Sequence, residues 1–281
     1  MVATVKITED TTSLADIPRA LRGMEDQIPF ATALALTRMS QDGRRSVQGH
    51  LQKRLDRPTK RTISGVRFKP ADKKEAQPTS FVWIVDEAPK GSAPADYLAA
   101  LIEGGRRKHK RHEKALHRAG ILPSGWFTVP GKDVNLNKHG NITAGKYTKI
   151  LSELQASPDP GQNATDSTRS TARRKGFFVL RKGESRVSGG KPIGVYQRTG
   201  KRTLKSILHF VPSVSYTQRI DLDGTVNESL RLRASQHVNN AIDQVIESQI
   251  KRQGERRAKT VEGILRGLQK QAARQASGVF G

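Results

Sequence analysis

The chain has 281 residues, a mass of 31.0 kDa and a formal net charge of +24, from 50 lysines and arginines against 26 acids. Hydrophobic residues make up only 35% and cysteine is absent, so the core is modest for the length, and disulfides and thiolate metal sites are excluded. No apolar run reaches the ~20 residues that span a bilayer, and the first ten residues lack the basic-then-apolar order of a signal peptide, so no membrane partner is expected.

Val2 to Thr8 alternates as a short strand would, and Thr11 to Gly23 reads as a small helix or turn. Glu25 to Leu55 is the first strong helix. Ile28, Ala31, Leu34, Ala35, Met39, Val47, Leu51 and Leu55 recur at spacings of three and four, with Gly43 and Gly49 as points of weakness or kinking. Its second half carries Arg38, Arg44, Arg45, Lys53 and Arg54 beside few acids. Pro58 stops the helix, since proline lacks an N–H and clashes with a preceding turn. Two strands follow, Thr62 to Phe68 and Phe81 to Val85, separated by turn-forming residues.

Pro94 to Glu103 starts as a helix with proline in its first turn, and Gly104-Gly105 breaks it. Arg106 to Ala119, RRKHKRHEKALHRA, reads as a very basic helix closed by Gly120. Ile121 to Pro130 is expected as a loop burying Trp126 and Phe127, and Thr143 to Gln155 as a further helix. Ala156 to Lys175 has no periodicity and almost no apolar residue, so a flexible loop is expected there. Gly176 to Leu180, Ile193 to Gln197 and Leu204 to Val211 form an antiparallel meander expected to join the first hairpin in one sheet. Thr225 and Glu228 have capping-box spacing at the start of a second long helix, whose stripe is Val226, Leu230, Val238, Ile242, Val245, Ile246 and Ile250. The helical pattern restarts at Lys251 and runs to Gln275, with Val261, Ile264, Leu265 and Leu268 among glycines and arginines.

These elements predict an α+β protein, with a mixed or mainly antiparallel sheet flanked by two long helices. An N-terminal segment (1–24) precedes a core domain (25–250) holding the flexible loop 156–175, and a basic helical arm (251–281) follows.

Catalytic and cofactor motifs are missing. His109, His112, Glu113 and His117 tempt a metal reading, but His112-Glu113 is followed by histidine one residue too late for HExxH, and the surrounding cations repel a metal. No phosphate-binding loop, dinucleotide fingerprint or nucleophile elbow occurs, so no cofactor and no enzyme activity are expected. The positive signal is basic: Arg38–Lys74, Arg106–Arg118, Arg169–Lys175 and Lys251–Arg274. Without interleaved aromatics or a sequence-reading module, this points to phosphate contacts indifferent to base sequence. The candidate nucleic-acid-facing residues are Arg38, Arg44, Arg45, Lys53, Arg54, Arg106, Arg107, Lys108, Lys110 and Arg111. Ile264, Leu265 and Leu268 find no complementary stripe within the chain and are candidates for a subunit interface.

Asp56-Arg57-Pro58-Thr59 after a basic helix, then Val66-x-Phe68-Lys69-Pro70-Ala71 and an apolar strand, resembles tailed-phage proteins of the minor tail protein Z type. The Tyr97-Leu98 helix, the Gly104-Gly105 break, His117-Arg118-Ala119-Gly120-Ile121-Leu122-Pro123 and Gly140-Asn141-Ile142 extend the resemblance over much of Ala31 to Phe210. It implies a virion component assembled in the host cytoplasm, a homo-oligomeric ring around the DNA channel that contacts other neck, tail or portal proteins. The chain is long for the simplest members, the loop and the arm being additions. The alternative is a free basic DNA-binding protein of the packaging or nucleoid type.

Overall fold

The computed structural model describes residues 4–7, 18, 20–89, 91–165, 176–181, 193–200 and 203–277, with side chains to 269. It is a mixed α+β protein with antiparallel sheets, six α-helices among the described residues, and two of these long. Two compact units are each drawn from separated stretches of sequence.

One unit takes its described residues from Thr4–Ser46, Arg67–Trp83 and 223–277. Its three-stranded sheet has the order β1-β3-β2, from β1 (Thr4–Ile7), β2 (Val66–Lys69) and β3 (Ser80–Ile84). Val5 lies opposite Val82 in the antiparallel β1–β3 register and both are buried, while Lys6 and Phe81 share the other face. Helix α1 (Ile28–Arg54) begins with Pro29 in its first turn and buries Ala31, Ala35, Leu36 and Met39 in this unit. The helix runs through Gly43 and Gly49 without interruption. A methyl group there would meet Val226 at 3.4 Å and Val82 at 3.5 Å, so Gly43 lies where helix and sheet side chains close over the backbone. The second long helix, α6, is one continuous element, Leu222–Ser277. It starts before the expected capping box and crosses Gly254 without a break. Val226, Ala234, Val238, Ala241, Ile242 and Val245 are its buried stripe.

The other unit takes its described residues from Val47–Val66 and Ile84–Leu222. The expected strand over Thr62–Phe68 is realised only in its second half: Thr62–Ser64 belong to a short helix, α2 (Lys60–Ser64), and β2 starts at Val66. The Thr59 side chain accepts a hydrogen bond from the Thr62 amide at 3.1 Å and so nucleates that turn. A Cβ on Gly65 would stand 2.7 Å from Pro94 Cγ, which is why only glycine closes α2 there. Helix α3 (Pro94–Ile102) follows as expected. The helix expected over Arg106–Ala119 is only half formed: Gly105–Arg106 is a strand, β4, and α4 spans Arg111–Arg118. Residues Phe127–Pro130, expected as loop, form β5.

Among the described residues the expected single sheet is three sheets. The hairpin lies in the sheet already described, β4 pairs with β9 (Ser215–Tyr216), and the meander forms a four-stranded sheet of order β5-β8-β7-β6. Its strands are β6 (Phe177–Leu180), β7 (Gly194–Arg198) and β8 (Leu204–Val211), antiparallel throughout with β5 on the edge. The register slips between Val195 and Tyr196, so Ile207 and Leu208 on β8 are both buried although adjacent. Leu116, Leu122, Ile142, Ile150, Phe177, Val195 and Phe210 complete this core, with α5 (Ala144–Glu153) against it.

The predicted flexible loop begins tied down. Gln155 is left-handed, the Ala156 amide donates to Leu151 at 2.8 Å, and the Ser152 hydroxyl donates to the Gln162 carbonyl at 2.6 Å. Its remainder, 166–175, lies outside the described residues, as do the basic run Arg169–Lys175 and most of the predicted element Thr11–Gly23.

Candidate functional site

The basic stretch after α3 divides into an inward and an outward set. Arg107 turns inward and clamps Glu113 with both guanidinium nitrogens, at 2.6 and 2.7 Å. Glu113 is fully buried and also accepts from the amides of Lys110 and Thr128, at 2.7 and 2.8 Å, and from the Thr128 hydroxyl at 3.0 Å. Burial opposes ionisation of Glu113, but the Arg107 guanidinium and the two amides outweigh it and hold the carboxyl down to about 2. Removing one partner from such a buried pair costs about 3–5 kcal/mol, because a charge is left uncompensated.

With the Thr128 hydroxyl donating to Glu113, its oxygen accepts from His112 Nε2 at 2.7 Å, and the His112 ring stacks on Tyr147 with centroids 4.0 Å apart. Burial pushes His112 down to about 4 and Tyr147 up to about 12. His109 stacks on Phe127 at 4.4 Å, and both ring nitrogens of His117 face backbone carbonyls, of Leu122 and Trp126. All four members of the tempting His/Glu cluster are therefore engaged in ring, backbone or ion-pair contacts. Among the described residues no three His, Asp or Glu side chains converge as metal ligands. A cavity of about 210 Å³ beside Arg107 is lined by Tyr97, Tyr216, Lys108, His109 and Lys110 among others.

The outward set is placed differently. Arg106 hydrogen-bonds Ser213 at 3.3 Å, Lys108 lies 3.4 Å from Asp96, and Lys110 and Arg111 are exposed. At the end of α1, His50, Lys53 and Arg54 share one helical face at positions i, i+3 and i+4. Together with Gln218, Arg219, Ile220 and Asp221 they line an open depression of about 580 Å³. Lys53 and Arg54 were legible in the sequence as basic. Arg219 was not, because only the folded chain brings it beside them.

Arg38, Arg44 and Arg45 belong to the other compact unit. Arg38 reaches Gln244 at 2.5 Å, Arg44 lies over the Phe68 ring at 5.0 Å, and Arg45 pairs with Asp42 at 3.1 Å. Asp42 is a buried carboxylate missed by the sequence reading. It accepts from His237 Nε2 at 2.8 Å and Arg233 at 3.2 Å, tying α1 to α6. Burial would raise its pKa, but these hydrogen bonds lower it.

From Ile250 to Leu268 every residue of α6 is exposed. Val261, Ile264, Leu265 and Leu268, each more than half exposed, fall on one stripe by their spacing, with Arg252, Arg256, Lys259 and Arg266 on the opposite side. No helix among the described residues is long and apolar enough to cross a membrane. Comparison with protein-family models, with characterised proteins and with solved structures finds no match to this chain.

Proposed function

We propose that this protein is a non-enzymatic structural subunit of a tailed bacteriophage, a member of the head–tail connector or tail-completion ring around the DNA path. The supporting observation is the second half of α6. A helix with Gly254, Gly263 and Gly267 loses about 1 kcal/mol at each relative to alanine. Isolated helices draw most of their stability from packing. A stretch with no buried residue from Ile250 to 269, an apolar stripe and three glycines is expected to form against another molecule, and the occupant proposed is an adjacent copy of this chain. The phage assignment rests on the resemblance of the Ala31–Phe210 punctuation to the minor tail protein Z type. The net charge of +24 suits a subunit beside DNA.

Truncation after Ile250 tests the assembly. By light scattering the full chain should be oligomeric and the truncated chain a folded monomer, and only the full chain should enter purified particles. Identical assembly by both would overturn the interface. Absence of the protein from purified particles, with duplex binding retained, would favour the free DNA-binding alternative.

A further inference from the structure

We infer that the depression formed by His50, Lys53, Arg54 and Arg219 is a docking point for the phosphate backbone of duplex DNA. The choice of ligand rests on the proposed placement beside a DNA path, whereas the site stands on its own geometry.

Two distant stretches, the end of α1 and the Gln218–Asp221 segment, supply an ammonium, two guanidinium groups and an imidazole around one open concavity. Lys53, Arg54 and Arg219 are exposed, and among the described residues none of them is ion-paired within the chain. Three cations around a single carboxylate leave a net positive charge that is costly unless an anion offsets it. The one carboxylate in the lining is Asp221, immediately before α6. His50 is half-buried in the wall of the depression.

The lining also selects among anions. No Phe, Tyr or Trp contributes to the lining, so single strands gain no broad stacking surface. Ile220 is its one large apolar residue and is buried, leaving nothing to insert into a lipid surface. A depression this open suits a phosphate carried on a rigid backbone better than a small enclosed ligand.

The test uses the full chain, a mixed-sequence 30-base-pair duplex and fluorescence anisotropy across a salt series. Combined Lys53→Gln, Arg54→Gln and Arg219→Gln should weaken binding at least tenfold at low salt. It should also flatten the log K against log salt slope by about 0.9 per lost contact. A charge-matched control, Arg252→Gln, Arg256→Gln and Lys259→Gln, should leave most of the affinity in place. Equal weakening by both variants would reduce the effect to net charge and overturn the site, as would an unchanged slope in the first variant. Preference for single strands or for anionic vesicles over the duplex would overturn it as well. The readout is independent of assembly. A chain truncated after Ile250 that stays monomeric yet loses duplex binding on the three substitutions supports both proposals; one that still assembles yet shows the same loss refutes the arm interface alone.

Discussion

At the scale of single residues, Glu113 and His112 set the acid behaviour of the region around them. Both have folded-state pKa values below the ordinary ones, about 2 against 4.5 for Glu113 and about 4 against 6.5 for His112. In either case the unfolded chain takes up the proton first as pH falls. Stability is therefore complete above the unfolded value and is lost on the way down to the folded one. His112 should act first, between pH 6.5 and 4, and Glu113 between pH 4.5 and 2. Each tenfold difference in proton affinity between the folded and unfolded chain is worth about 1.4 kcal/mol, so the His112 step alone should remove about 2–3 kcal/mol by pH 4.5. His112→Gln keeps a donor for the Thr128 hydroxyl and does not titrate. Its stability by denaturant unfolding should stay level from pH 6.5 to 4.5 while the parent declines. Parallel curves would show that His112 is not the group responsible.

At the scale of elements, α6 has two halves with different physics. Ile242 lies in the buried half, so Ile242→Ala should cost about 2–5 kcal/mol in unfolding free energy. Ile264 is exposed, and Ile264→Ala should change monomer stability by less than about 0.5 kcal/mol while weakening self-association. A large loss from Ile264→Ala in a monomeric sample would mean that the arm packs on its own chain. The stripe of Val238, Ile242 and Val245 was legible because helical burial repeats every three to four residues. Continuity through Gly254 was not, since glycine reads locally as a break. The same locality misread Arg106–Ala119: a run of cations looks like a solvated face, and nothing nearby in sequence shows that Glu113 will draw Arg107 inward or that β9 will capture Arg106. β5 was hidden because Phe127–Pro130 is short and contains proline, tolerable in an edge strand that pairs only with β8. The separation into three sheets depends on β1 reaching β3 across more than seventy residues, a pairing that no local pattern encodes.

At the scale of the whole molecule, the charge and the arm make separable demands. The last 31 residues hold eight lysines and arginines against two glutamates, a quarter of the net +24, so truncation after Ile250 leaves most of the positive charge and the whole His50–Arg219 depression. A protomer making six or more phosphate contacts should lose about 10³ or more in duplex affinity between 50 and 200 mM salt, with little preference among sequences. An assembly of such protomers adds effective concentration to each contact after the first. On a duplex long enough for several protomers, the full chain should therefore bind far more tightly than the truncated one. On a duplex short enough for a single protomer, the two should differ only by the modest share of charge removed. Gel-shift titrations at both lengths read the difference directly. A gap of the same size at the two lengths would mean that the arm acts through its own cations and not through assembly.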